Sequence, residues 1–297
     1  LILCGLSVAL AFRSGLFNIG AQGQFIFGAI GASFIGFHYQ LPFGVHILIA
    51  VAFGILLAAV FGGIAGFLKA KTGAHEVIVT IMLNYIAGLL LFYVLTTPLF
   101  QAPGATNPIS PEIAESSKYW RFMGEGFRIN ASFLVMLVMV AAVWWLLNRS
   151  SVGFQFRALG HNPNASKVAG INIGLNYILV MAVSGALAGL AGTSQVLGPE
   201  KFLTPSVAAS FGFDAITVAL LGRSKPIGVL AAGVLFGALR AGAVIMQANQ
   251  KVPIDIVLIV QSLVVLFIAA PPLVRFMFGL ADPAKKAAKA AAKGAAA

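Results

Sequence analysis

Between Arg13 and Gln24 the chain reads RSGLFNIGAQGQ, which interleaves the side-chain amides of Asn18, Gln22 and Gln24 with Gly15, Gly20 and Gly23. An amide presents a donor and an acceptor together, which suits an uncharged polar solute. The glycines permit non-helical backbone that would aim those amides at a cavity. The same residues also read as a polar turn whose amides cap helices. Both readings stand at the level of sequence. Asn84 and Tyr85 sit in the middle of the apolar stretch Val77–Leu95. Asn84 either bonds a neighbouring helix or touches a solute. Gln195 and Gln261 are weaker candidates of the same type. Glu76, next to His75, reads as a helix start or loop anchor. Asp214 and Asp255 read as charges favoured at helix N-termini. Arg240 either snorkels to an interface or pairs with a carboxylate.

Other chemistries find no residues. GRSKPIG at Gly222–Gly228 lacks the spacing of a phosphate-binding loop, and no HExxH or paired Cys/His set occurs. The single cysteine, Cys4, lies in an apolar run and rules out an internal disulfide. No carboxylate stands at the centre of an apolar stretch, where a proton-driven carrier would hold one. Nothing supplies the nucleophile, metal site or acid–base pair of a membrane-bound enzyme. The chain carries no engine of its own.

The elements that must position these residues are membrane helices. Of 297 residues, 60% are hydrophobic and only 9% charged, and the mean hydropathy is +0.97. A soluble domain carries about 25% charged residues. Apolar stretches fall at Leu1–Phe12, Gly20–Phe37, Gly44–Leu68, Val77–Leu95, Ser132–Leu147, Leu175–Leu197, Phe211–Leu221, Ile227–Met246 and Ile254–Ala270. A bilayer core about 30 Å thick needs roughly 20 apolar residues per helix, and lipid leaves the backbone no other partner than itself. The alternation of a β-barrel is absent. The expectation is an all-α, polytopic transmembrane bundle of eight or nine segments. Phe211–Leu221 is too short to cross alone and reads as a broken or re-entrant helix.

The net charge of +11 fits basic residues at the cytoplasmic ends of helices better than nucleic-acid binding. With Phe211–Leu221 counted as a crossing, Arg13, Lys69, Lys71, Arg149, Arg157, Lys167, Arg223, Lys225, Arg275 and the tail lysines fall on one side, thirteen of the nineteen Lys and Arg. Lys118, Arg121, Arg128, Lys201 and Lys251 fall opposite, and Arg240 lies within a span. The thirteen mark the cytoplasm and place the C-terminus inside. The Pro-rich connection Thr96–Ala131 is then an irregular external loop or cap. The connection Asn148–Gly174 is cytoplasmic, and its 27 residues exceed what a turn needs. Asn162 or Asn164 can cap a short helix there, with Pro163 in its first turn. Glycines cluster at Gly28/Gly31, Gly62/Gly63/Gly66, Gly185/Gly189/Gly192 and Gly233/Gly237, which serves tight packing or a sliding surface. The chain opens on Leu1 inside an apolar stretch without a signal peptide, and the expectation is a truncated N-terminus preceded by at least one more helix.

Three segments in order, GLFNIGAQGQ (Gly15–Gln24), GAHEVIVTIMLNYIA (Gly73–Ala87) and RALGHNPNASKVAGIN (Arg157–Asn172), resemble the permease subunits of bacterial ABC importers of the branched-chain amino acid, ribose and nucleoside group. They are most similar to the larger permease of nucleoside systems linked to basic membrane lipoproteins. The resemblance spans about Leu1 to Arg275. It implies a permease domain over 1–280 in a multi-pass protein of the bacterial plasma membrane, and the low-complexity, Ala- and Lys-rich segment 281–297 reads by composition as a disordered basic cytoplasmic tail. It implies a second, different permease subunit, two cytoplasmic ATP-binding cassette subunits and an extracytoplasmic solute-binding lipoprotein as partners. ATP is then bound and hydrolysed by a partner, and this chain is not an enzyme, needs no cofactor and binds no nucleic acid. The resemblance assigns Arg157, Gly160, Asn162, Pro163, Ala169 and Gly170 to the segment that docks on the ATPase. It assigns Asn18, Gln22 and Gln24 to the solute path, with Asn84 and Tyr85 behind them. Relatives commonly carry Glu where this chain has Gln22. Nucleosides are the leading solute, ribose-like sugars and branched-chain amino acids the alternatives. A stand-alone carrier or channel is the competing class.

Overall fold

Every apolar stretch becomes a helix, because in a chain this poor in charge only intra-segment hydrogen bonding satisfies the backbone. The computed structural model describes residues 1–121, 130–250, 253 and 255–269. Arg128, Lys251, Arg275 and the tail 281–297 lie outside the described residues. The helices are α1 (Ile2–Arg13), α2 (Ala21–His38), α3 (Val45–Thr72), α4 (Glu76–Leu95), α5 (Ser132–Arg149), α6 (Ser151–His161), α7 (Pro163–Val168), α8 (Ile173–Gln195), α9 (Phe211–Leu221), α10 (Pro226–Gln250) and α11 (Asp255–Ala269). Among the described residues there is no strand.

Among the described residues five helices are long and apolar enough to cross a membrane: α3, α4, α5, α8 with its continuation to Glu200, and α10. Length and composition of the described helices do not by themselves confirm the expected eight or nine segments. The reasons are local: α1 and α9 are short, and Gln22, Gln24, Ser33 and His38 dilute the hydropathy of α2.

Leu1–Gly237 form one compact unit and the residues from Ala238 a second, which carries the end of α10, with half-buried Arg240, and α11. In the first unit α2, α3 and α8 make the centre. Lipid gives apolar helices no hydrophobic reason to associate, so close approach of small residues has to supply the contact. A Cβ on Gly28 would lie 2.3 Å from the carbonyl oxygen of Gly189, and one on Gly192 would lie 2.1 Å from that of Phe25. Gly28, Gly189 and Gly192 thus serve tight packing, whereas Gly237 has open space beside it. Helix α1 is buried without interruption from Leu3 to Ala11, as expected of a helix apolar all round.

The two ends of this unit differ in charge. At one end Arg13 Nε donates to Ser224 O at 3.0 Å, Lys69 pairs with Glu76 at 2.6 Å, and α6 and α7 lie beside them. At the other end the connection after α4 folds over as an irregular cap. Its Ala114 N–H bonds Gly36 O at 2.9 Å, and Ser110, Ile113 and Tyr119 bond the backbone of Leu203, Lys201 and Leu197. Lys118 there holds Glu112 at 2.9 Å and also pairs with Glu115. His46 ties α3 to this cap, with Nδ1 2.7 Å from Ser116 Oγ.

The 148–174 connection holds the short helix expected after Asn162 and one more before it. Asn162 Oδ1 accepts the N–H groups of Asn164 and Ala165 and so caps α7, with Pro163 in the first turn. A further helix, α6, precedes it: Ser150 Oγ accepts Gly153 N, and Gly153, Phe156 and Leu159 are buried at every third position.

Candidate functional site

Helix α1 ends at Arg13, but α2 does not start there. The chain climbs back along α1: Leu16 N–H bonds Ala11 O at 3.0 Å, and Asn18 Nδ2 donates to Ser184 Oγ of α8 at 2.7 Å. Ser184 Oγ in turn donates to Ser7 O in the middle of α1 at 2.8 Å. Helix α2 therefore begins inside the bundle. Asn84, whose side chain meets this start, is eight residues into α4, about 12 Å along a helix. That is near the middle of a core about 30 Å thick.

A second helix starts at the same place. Gln22 Oε1 accepts the N–H of Gly212, in the first turn of α9, at 2.7 Å. Gln22 Nε2 donates to Ala209 O, just before α9, also at 2.7 Å. Only glycine fits at 212, because a Cβ would lie 2.3 Å from Gln22 N.

The first N–H groups of a helix have no intrahelical acceptor, and in a bilayer interior water does not supply one. Side-chain amides do so here. Asn18 Oδ1 accepts Gly20 N at 2.9 Å, and Asn84 Oδ1 accepts Gly23 N at 2.8 Å while its Nδ2 donates to Ile19 O at 2.9 Å. Asn18 and Gln24 exchange bonds of 2.8 and 3.2 Å. Both helix starts also present the positive ends of their dipoles, and the groups facing them are neutral.

The structure thus brings Asn18, Gln22, Gln24 and Asn84 into one buried cluster. In this conformation they bond protein groups, as the capping reading requires. Tyr85 is not part of the cluster: it points away from the bundle and is 69% exposed. Gln195 bonds Glu200 Oε1 at 3.0 Å, and Gln261 is buried in the second unit. Ser7 and Ser184 complete the network and carry no sequence signal, since Ser184 reads only as one more small residue of SGALAGLAG.

Beside the cluster opens a cavity of about 320 Å³, lined among others by Phe25, Phe211, Asn130, Ser132 and Gln195. Phe25 and Phe211 stand 5.9 Å apart, centroid to centroid. Its lining mixes aromatic rings with amides and hydroxyls and holds no charged side chain.

The other predicted residues lie together on α6, α7 and the turn after them. Arg157 and Gly160 are on α6, Asn162 and Pro163 open α7, and Ala169 and Gly170 follow its end. Gly170 has φ +81°, a left-handed conformation that favours glycine. This segment presents apolar side chains outward: Val168 is 91% exposed and Phe154 59%.

Comparison with known proteins follows from the whole chain. The family described as branched-chain amino acid transport system / permease component matches residues 1–269. The chain is 37% identical over 279 residues to the guanosine ABC transporter permease protein NupP of Bacillus subtilis, covering 94% of this chain and 80% of that protein. It is 34% identical over 301 residues to the nucleoside ABC transporter permease protein NupB of Lactococcus lactis, covering 98% and 80%. It is 30% identical over 277 residues to the glucose ABC transporter permease protein TsgB13 of Haloferax volcanii, covering 90% and 73%. No solved structure matches the chain.

Proposed function

The chain belongs to the family of branched-chain amino acid transport system permease components, and from that premise we propose that it forms half of the translocation path of an ATP-driven nucleoside importer. The observation that carries this reading is the 37% identity to a guanosine permease across 94% of the chain. The cavity between Phe25, Phe211, Asn130 and Gln195 supports it, because aromatic rings next to neutral amides and hydroxyls match a solute with a flat base and a hydroxylated sugar.

In this reading the short helices α1 and α9 join the long ones in an alternating bundle over residues 1–280. The end bearing Arg13, Lys69 and α6–α7 faces the cytoplasm, as does the tail 281–297. The partners are a second, different permease, two cytoplasmic ATPases and an extracytoplasmic solute-binding lipoprotein. Tyr85 indicates where the second permease sits. A tyrosine hydroxyl turned into hydrocarbon is costly, so the outward face of α4 borders the shared path rather than lipid. The α6–α7 segment docks on an ATPase through Val168 and Phe154. ATP binding closes the ATPase pair and rocks the two permeases about the path, exposing it first to one side and then to the other.

The test is uptake of labelled guanosine into vesicles holding the complete complex, with and without internal ATP. Uptake should require ATP. Val168→Asp should release the ATPase during purification and abolish uptake together. An ATPase that stays bound to the Val168→Asp permease would defeat the docking assignment, and uptake by this chain alone on an ion gradient would defeat the whole reading.

A further inference from the structure

We infer that Gly15 and Gly160 form a rigid bearing that carries motion of α6–α7 to the two helix starts around Gln22, which makes Gly160 a positioning residue for transport. The inference rests on the proposed role of α6–α7 as the face turned by the ATPase.

The contact is backbone on backbone. A Cβ on Gly160 would lie 2.4 Å from Arg13 O and 2.9 Å from Gly15 N, and one on Gly15 would lie 3.0 Å from Gly160 Cα. Gly15 holds φ +71°, which few other residues tolerate. No side chain stands between the two strands of backbone, so there is no rotamer to absorb a push.

Beyond Gly15 the chain has no slack either. Leu16 is buried at 1% exposure and its N–H is held by Ala11 O. Phe17 N–H points at Glu76 Oε1, 3.4 Å away, and Glu76 is fixed by Lys69. The next residue is Asn18, which holds Ser184, Gln24 and the N–H of Gly20. A displacement at residue 15 therefore arrives three residues later at Asn18, whose side chain holds the residues that open α2. Packed interiors pass such shifts on rather than dissipate them.

A second branch runs from the same bearing. Arg13 binds Ser224 O, directly after α9, and the other end of α9 is held by Gln22. The bearing thus grips α9 at its far end while the 14–18 segment grips α2. Both helices that meet at Gln22 move together when α6 moves.

The experiment compares variants of the complete complex in vesicles by the ratio of solute imported to ATP hydrolysed. Gly160→Ala forces its Cβ against the backbone of residues 13–15. The complex should assemble and hydrolyse ATP, with the ratio lowered about 2- to 30-fold, the range of mutations along coupling networks. An assembled Gly160→Ala complex with an unchanged ratio overturns the inference. Should Gly160→Ala fail to assemble, Glu76→Gln decides, since it is isosteric yet removes the charge and one of the two oxygens that accept from Phe17 N–H and Lys69. A lowered ratio then supports the relay, and an unchanged one overturns it. Val168→Asp separates this from the parent reading: it tests docking alone, and its failure to release the ATPase condemns the docking assignment whatever Gly160 does.

Discussion

The side-chain oxygen of Gln22 accepts the backbone N–H of Gly212, and its nitrogen donates to Ala209 O, both at 2.7 Å. One neutral side chain thus satisfies a donor and an acceptor of a buried helix start. Gln22→Leu keeps the volume and removes both bonds. Each backbone group left unpaired costs about 1–3 kcal/mol, so thermal unfolding in detergent should occur at a clearly lower temperature. Gln22→Glu retains an acceptor for Gly212 and should fall between Gln22→Leu and the unaltered protein. A Gln22→Leu protein as stable as the original would contradict the stapling role.

Asn84 and Tyr85 are adjacent in sequence, yet Asn84 is buried and Tyr85 is exposed. Asn84→Ala should destabilise the fold, because Gly23 N and Ile19 O lose their partner. Tyr85→Phe should leave the unfolding temperature unchanged and lower guanosine uptake by about 2- to 10-fold, the worth of one neutral hydrogen bond. Measuring both properties on both variants checks the assignment. A Tyr85→Phe permease with full uptake would remove Tyr85 from the path.

The cap after α4 should respond to acid. The Lys118 ammonium hydrogen-bonds the exposed Glu112 carboxylate and holds it below the usual carboxylate range. Burial of Lys118 works against its own charge, yet its bonds to Glu112 and Glu115 outweigh that and raise it. A carboxyl whose folded pKa is depressed lends stability that is fully present above its unfolded pKa, about 4.3, and is lost as pH falls through the folded value. Limited proteolysis of residues 96–121 should be flat from neutral pH down to about 5 and should quicken below the unfolded value near 4.3. Lys118→Met should show the acid rate already at neutral pH.

The positions of the helices were legible because low charge and long apolar stretches leave the backbone one solution. The number of crossings was less so, since α1, α2 and α9 fall short of the length or apolarity by which a span is recognised. Helix α6 was hidden because Gln155, Arg157 and His161 interrupt its apolar positions, and only burial of Gly153, Phe156 and Leu159 reveals the face. The amides of Arg13–Gln24 stood out by type and spacing, and so did their two readings. What decided the geometry, Asn84 reaching Gly23 and Gln22 reaching Gly212, joins positions 61 and 190 residues apart. Nothing in the local pattern of either partner encodes the other.

Cys4 is wholly enclosed in α1, and it is the sole thiol in the chain. A maleimide added to intact membranes therefore meets no native target within these 297 residues. Cysteines introduced one at a time along the outward face of α4 would each be tagged without background. Positions that a passing nucleoside shields from the reagent would then trace its route residue by residue.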